Sequence, residues 1–326
     1  MFIKFGTIGT SWITEKYIDA AQKSKKWCYQ SAYSRELERA KEFTKNRQVD
    51  CYDDLEKFAN SGIDVVYIAS PNALHFEQSK YFLEKKIHVI CEKPICLDFY
   101  QFEQLLKIAN ENNVYIIEAI KHIHTDSFKA IKEELKNVGK IRQLNLNFNQ
   151  SSSRYEDFKK GNIPNVFSRE YGGGALMDLG IYPIAFCIAL FGMPKDSTCK
   201  TVKLSNGIDG YGILIMEYDG FLANMSFSKI TTASIYNEIL GEEGSLCFSH
   251  ITHQDEIFFI SLAKEVRNIS LSNETNNMIY EAKLFYEVIN SKDSKKYAEL
   301  TEISKNVMQI LDKSRMQTDI TWLSRS

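Results

Sequence analysis

The chain has 326 residues, 44% of them apolar and 12% aromatic, a length that suits two domains and a composition that excludes a largely disordered protein. Forty basic residues against 42 acidic ones leave a net charge of −2, so there is no basic excess to grip nucleic acid and no such partner is expected. Five prolines and 16 glycines are too few for a collagenous or linker-rich architecture.

Short apolar runs alternate with amphipathic stretches through the first 120 residues. Residues 2–8 read as a strand, 11–24 as a helix, 27–33 as a second strand and 35–46 as a charged helix carrying Leu37, Ala40 and Phe43. A short helix over 53–60 precedes the run DVVYIA at 64–69, a strand apolar enough to be buried on both faces. A helix at 72–85, a strand at 87–91, a helix at 98–112 repeating Phe99, Phe102, Leu105, Leu106 and Ala109, and a strand at 114–119 complete the series. Near-continuous apolar strands alternating with helices predict an α/β, doubly wound domain on a parallel sheet over residues 1–120.

Past residue 120 the rhythm changes. A helix at 124–137 gives way to strands at 141–150, 200–204, 212–218, 222–230, 237–240 and 245–250. Many lack an intervening helix and several alternate apolar with polar residues, which predicts a mainly antiparallel sheet. Helical stripes return at Met278, Ala282, Phe285 and Ile289 and at Val307, Ile310 and Leu311. The second domain therefore runs from 121 to 326, with no flexible linker marking the boundary.

The opening MFIKFGTIGTSW reads as a strand entering a turn, not as a secretory leader. The most apolar run, 181–191, is about half a membrane span and is interrupted by Pro183, so no membrane partner is expected. Seven cysteines (28, 51, 91, 96, 187, 199 and 247) are odd in number and lack a C-x-x-C pair, the pattern of reduced thiols in a cytoplasmic protein. Cys28, Cys91 and Cys187 have apolar surroundings and read as small core residues.

The first strand runs into Gly6-Thr7-Ile8-Gly9-Thr10-Ser11-Trp12-Ile13. A strand, a glycine turn and a helix N-terminus form an anion site, because free N–H groups and the helix dipole converge on a phosphate. Gly9, Thr10, Ser11, Trp12 and Ile13 are the candidate contacts. A strict G-x-G-x-x-G fails, since Ser11 and Thr14 stand where the later glycines belong, and an ordinary strand-to-helix turn is the alternative. The second strand ends in Ser34-Arg35, where an NAD site normally carries a carboxylate. A hydroxyl and a cation suit a 2′-phosphate, which favours NADP and leaves NAD as the other option. Arg35 reads equally as a solvated helix-start residue.

Ser70, Pro71, Asn72 and His75 follow one buried strand, and Glu92 and Lys93 close another. Both groups therefore lie at the carboxyl edge of the sheet, where open α/β folds bind ligands. Asn72 serves equally as an N-cap, and His75 as a surface histidine. Lys93, held by Pro94 at a strand end, is a poor packing choice and points to acid/base or electrostatic work. His122-x-His124 lacks a third ligand and reads as solvated or capping rather than metal-binding; His250 and His253 flank a turn. Arg154 and Arg169 either hold a substrate or face solvent.

With ASPNALH at 69–75, Glu92-Lys93-Pro94, GGGALMDLG at 172–180 and ILGEEGSL at 239–246, essentially the whole chain resembles the glucose–fructose oxidoreductase/inositol dehydrogenase/MocA (Gfo/Idh/MocA) family of nicotinamide-dependent oxidoreductases. The resemblance implies a Rossmann domain followed by an α/β domain with a large open sheet that often builds dimers or tetramers, here a homodimer or homotetramer. It places Lys93 beside the nicotinamide and the reacting carbon, and brings Asp178 and Tyr182 from the element after the glycine triplet. A tyrosine where other branches carry histidine is similar to the dihydrodiol dehydrogenase and glucose–fructose oxidoreductase branches.

The expected activity is hydride transfer between NADP(H) and a hydroxyl or carbonyl carbon of a sugar or polyol, with Lys93, Asp178 and Tyr182 catalytic. Two residues four apart share a helix face, although Pro183 disturbs the helix there; the plainer reading has Asp178 capping and Tyr182 as a half-buried aromatic. One alternative substrate is a trans-dihydrodiol, which Phe148, Phe158, Phe167 and Tyr171 would accommodate. Another possibility is a non-catalytic NAD(P)-binding sensor, on the strength of the eroded glycine motif.

Overall fold

Six short strands in the first 119 residues pair into one parallel sheet in the computed structural model, which describes residues 2–322. β1 (Ile3–Ile8), α1 (Trp12–Lys23), β2 (Trp27–Tyr33), α2 (Leu37–Thr44), β3 (Asp50–Tyr52), α3 (Leu55–Ala59), β4 (Val65–Ile68), α4 (His75–Glu84), β5 (His88–Glu92), α5 (Phe99–Glu111) and β6 (Ile116–Ala119) follow one another, with strand order β3-β2-β1-β4-β5-β6. Every residue of β4 and β6 is buried, as helices on both faces of a parallel sheet require. The buried Glu118 of β6 accepts from the Ile95 amide at 2.9 Å through one oxygen. Strand β3 was not legible because the segment DCY carries no apolar run. Cys28, expected in the core, is exposed, since the pleat of β2 turns its neighbours Trp27 and Tyr29 inward instead.

The second unit takes residues 120–273 and the chain from 303 onward. Its elements are α6 (Asp126–Glu134), β7 (Ile141–Asn149), α7 (Tyr155–Lys159), a single π turn (Leu176–Gly180), α8 (Ile181–Phe191), β8 (Asp196–Lys203), β9 (Asp209–Tyr218), β10 (Phe221–Ser228), β11 (Asn237–Gly241), β12 (Gly244–Phe248), β13 (Ile257–Ser261) and β14 (Val266–Asn268). Eight strands lie in the order β14-β13-β12-β11-β7-β10-β9-β8. Only β7 and β10 pair in parallel; the other neighbours are antiparallel. The sheet is thus open and mainly antiparallel, as its alternating strands predict. On β9, Leu214 and Met216 are buried while Ile213 and Ile215 are 44% and 38% exposed, so the outer face is apolar as well.

Two further helices follow, α9 (Met278–Ser291) and α10 (Ser294–Gln317). Residues 274–302 belong to the first unit, not the second. Met278, Ala282, Phe285 and Ile289 of α9 join a core with Phe5, Tyr17, Trp27 and Tyr67, and the Trp27 indole donates to the Ala282 carbonyl at 2.9 Å. A continuous second domain over 121–326 is therefore corrected: an amphipathic stripe shows that a helix is covered, not which core covers it. No helix among the described residues is long and apolar enough to cross a membrane.

Candidate active site

The strand order of the parallel sheet reverses between β1 and β4, and the loops leaving β1, β2, β4 and β5 share the carboxyl edge at that switch point. Gly9 turns the chain after β1 with φ of +107°, and a Cβ there would lie 2.5 Å from the Ala69 carbonyl oxygen. Only glycine fits, because the turn presses directly against the end of β4. Ser11 takes the N-cap position of α1 without a side-chain capping bond, in contrast to Asp98 before α5 and Thr125 before α6. Its Oγ instead lies 3.4 Å from Thr14 Oγ1. The first amides of α1 thus retain their capacity to meet an anion, and a dinucleotide pyrophosphate fits this glycine cradle. Thr10 and Ile13 are half-buried and Ser11 is exposed. Trp12 is 67% exposed, with the Lys16 ammonium 5.3 Å from its ring centroid.

Around this turn, the other candidates divide. Ser34 donates its amide to the Tyr52 carbonyl at 3.0 Å, and Arg35 is exposed. Ser70 donates its hydroxyl to Gln78 at 2.7 Å. Asn72 does not cap α4: it opens a 3-10 turn at 72–74 behind Pro71, and Leu74 precedes the helix. His75 is not a surface residue either, being 1% exposed with Nδ1 2.8 Å from the Pro94 carbonyl oxygen and Nε2 2.8 Å from that of Ser70. Both ring nitrogens are thereby engaged in joining the loops after β4 and β5. Burial holds its pKa down, the two carbonyls oppose that shift, and the nearby Lys93 charge adds to it. Glu92 turns one oxygen into the core, accepting from Tyr67 at 2.5 Å, and Tyr67 in turn stacks on Tyr17 with centroids 3.8 Å apart. Lys93 is half-buried at the end of β5, with a cis peptide to Pro94.

In the second unit, the segment after the glycine triplet departs from a plain helix. Asp178 lies in the π turn and Tyr182 in the first turn of α8. Pro183 has no N–H and would clash with the Leu179 carbonyl in an unbroken α-helix, and the wider π turn just before it removes that conflict. Tyr182 is half-buried between the His122 ring (5.0 Å, tilted) and the Phe148 ring (5.1 Å, edge-to-face). His122, expected to be solvated, is fully buried with Nε2 2.9 Å from the Tyr182 carbonyl oxygen. Arg154 is exposed, and Arg169 donates to the Thr321 carbonyl at 2.9 Å. Phe158 and Phe167 pack together at 5.3 Å.

Asp178 is ion-paired with Lys229, a residue absent from the sequence-based candidates. The signal was present: Ala223, Met225 and Phe227 mark the inward face of β10, and the same alternation carries on to Lys229, which is 4% exposed. A lysine on the core face of a strand is a rare placement that needs a partner. Behind it, Asp209 is fully buried, accepts from the Leu176 amide at 2.6 Å, and is pushed up to about 6 by desolvation, partly offset by that amide and by the Lys229 charge.

Comparison with known proteins places these features in a family. Residues 3–119 match the description "Oxidoreductase family, NAD-binding Rossmann fold", and residues 128–247 match the Gfo/Idh/MocA C-terminal domain. The chain is 37% identical over 285 residues, 87% of each chain, to the uncharacterized oxidoreductase YgjR of Escherichia coli (strain K12). It is 35% identical over 322 residues, 98% of each chain, to the scyllo-inositol 2-dehydrogenase (NADP(+)) IolU of Bacillus subtilis (strain 168). In fold it is similar to KijD10, a 3-ketoreductase from Actinomadura kijaniata crystallised with NADP and TDP-benzene, with a TM-score of 0.88 at 20% identity over the full length of both chains. With a glycine cradle at the head of a parallel sheet and relatives aligned over nearly its whole length, the chain belongs to the Gfo/Idh/MocA family of NAD(P)-dependent oxidoreductases.

Proposed function

We propose that the protein is an NADP-dependent dehydrogenase of a cyclic polyol or sugar, with Lys93, Tyr182 and Asp178 at its reacting centre. The observation that carries this reading is the placement of Lys93 at the sheet edge that holds the Gly9 cradle, together with a half-buried phenol and a paired carboxylate four residues apart. Family membership supports the oxidoreductase class, and the scyllo-inositol dehydrogenase IolU supports the polyol.

The turn at Gly9, Thr10, Ser11, Trp12 and Ile13 would hold the pyrophosphate. Ser34 and Arg35 would meet the 2′-phosphate, which is the basis for NADP over NAD, and Ser70, Pro71 and Asn72 would line the cofactor's other end. His75 and Glu92 would act from behind, shaping the loops that present Lys93. A bound nicotinamide would supply the hydride chemistry at the carbinol or carbonyl carbon. Tyr182 takes the hydroxyl proton in oxidation and gives it back in reduction. Lys93 stabilises the negative charge that develops on the same oxygen, and Asp178 orients the phenol.

The apolar outer face of the second unit's sheet, where Val202, Ile213, Ile215 and Leu222 are exposed, supports assembly into a homodimer or homotetramer, which light scattering on the purified protein measures. All seven cysteines are free thiols, which supports a cytoplasmic location.

The test is Lys93→Met assayed with inositols, monosaccharides and a trans-dihydrodiol. Turnover of a polyol should fall at least ~10²-fold while NADPH affinity by calorimetry stays within about threefold. Undiminished turnover would remove Lys93 from the chemistry, and turnover of the aromatic diol alone would transfer the reading to a dihydrodiol dehydrogenase.

A further inference from the structure

Lys229 sits where packing alone would place an apolar residue. Its side chain is 5% exposed, against 32% for that of its partner Asp178. The backbone leaves it little freedom, because its amide donates to the Gly210 carbonyl at 2.9 Å and its carbonyl accepts from Ser152 at 2.8 Å. The Phe167 ring lies 5.7 Å from the ammonium and closes that side. An ammonium so enclosed is costly unless a carboxylate meets it. Asp178 does so, and Asp209 on β9, whose carboxylate also feels the Lys229 charge, receives the Leu176 amide at 2.6 Å. The π turn Leu176–Gly180 is therefore fastened twice: Asp209 holds its first amide and Lys229 holds the carboxylate in its middle. Tyr182 follows one turn later.

We propose that Lys229 is a positioning residue for the reaction, locking Asp178 in one orientation and compensating its charge, so that Asp178 anchors the Tyr182 turn and takes no proton itself. The inference rests on the reading of Asp178 and Tyr182 given above. It separates two roles that a carboxylate beside a phenol leaves mixed. A carboxylate already paired with an enclosed ammonium is a weak proton acceptor, and the phenol is left to exchange the proton with substrate.

The experiment compares Asp178→Asn, Lys229→Gln, Lys229→Arg and the Asp178→Asn/Lys229→Gln double variant, with kcat and KM for the polyol, NADPH affinity by calorimetry and Tm for each. Lys229→Gln should lower kcat ~30-fold with KM and NADPH affinity within about threefold, and adding Asp178→Asn should cost less than about threefold more, because the two residues act as one unit. Lys229→Arg, which keeps the charge, should recover most of the loss. The double variant should also regain part of the Tm lost in Lys229→Gln, since the Asp178 carboxylate is then no longer left without its cation, and it keeps the comparison usable if Lys229→Gln alone fails to fold. If Asp178→Asn slows turnover while Lys229→Gln does not, or if the two effects on kcat multiply, the positioning role is wrong and the functional reading stands. If Asp178→Asn itself turns over at the parent rate, the assignment of Asp178 to the site is what fails.

Discussion

The fully buried carboxylate of Asp209 departs from the ordinary chemistry of an aspartate. Asp209 keeps its proton up to about pH 6, because burial outweighs the amide of Leu176 and the charge of Lys229. The sign of its linkage follows. Between about pH 4 and 6 the folded chain holds a proton that the unfolded chain has released, so this residue's contribution to stability is fully present at lower pH and is lost as pH rises through about 6. Roughly two units at 1.36 kcal/mol each give an upper bound of about 3 kcal/mol. Asp209→Asn keeps an acceptor for Leu176 and cannot ionise. Urea unfolding at about pH 4 and about pH 7 should show the variant gaining on the parent at the higher pH; a difference that does not change with pH would contradict the assignment. His75 makes the complementary point. Its burial was hidden from a reading by polarity, since its partners are the carbonyls of Ser70 and Pro94, and no side-chain type announces a backbone acceptor.

Elements were legible where period and punctuation agreed. Every parallel strand except β3 stands out as an apolar run, and Gly9, Lys93 and Asp178 can be singled out because each stands at a strand end or behind a glycine cluster. The π turn was not legible as such, although Pro183 marked the place where a plain helix could not continue. Lys229 is hidden by its setting, because a strand reads as packing even where its alternation with Ala223, Met225 and Phe227 carries a charge onto the core face. Of these elements the β1–α1 turn is the most demanding. Gly9→Ala would place a methyl group 2.5 Å from the Ala69 carbonyl oxygen at a φ of +107°. The turn would have to open away from β4, costing about 2 kcal/mol and moving the first amides of α1. Calorimetry should show NADPH affinity reduced at least ~10-fold, and thermal unfolding a lower Tm; parent-like affinity would show that this turn does not hold the cofactor.

At the scale of the whole chain, the first unit's core is discontinuous in sequence. Residues up to Ala119 supply the sheet, but 274–302 supply α9, and Trp27 is tied to Ala282 by a bond that crosses 255 positions. A fragment of residues 1–120 would expose the apolar surface of Phe5, Tyr17 and Trp27 that α9 covers. It should be aggregation-prone and lack a cooperative melting transition, whereas the same fragment joined by a flexible linker to 274–302 should melt cooperatively; a stable, monomeric 1–120 fragment would refute this. The same discontinuity has a consequence during synthesis. At roughly 5–20 residues per second, the roughly 160 residues between the end of β6 and the start of α9 keep the nascent first unit waiting for about 10–30 s on the ribosome. For that interval its sheet is made but its aromatic floor is open to water, and it stays so until α9 has been synthesised.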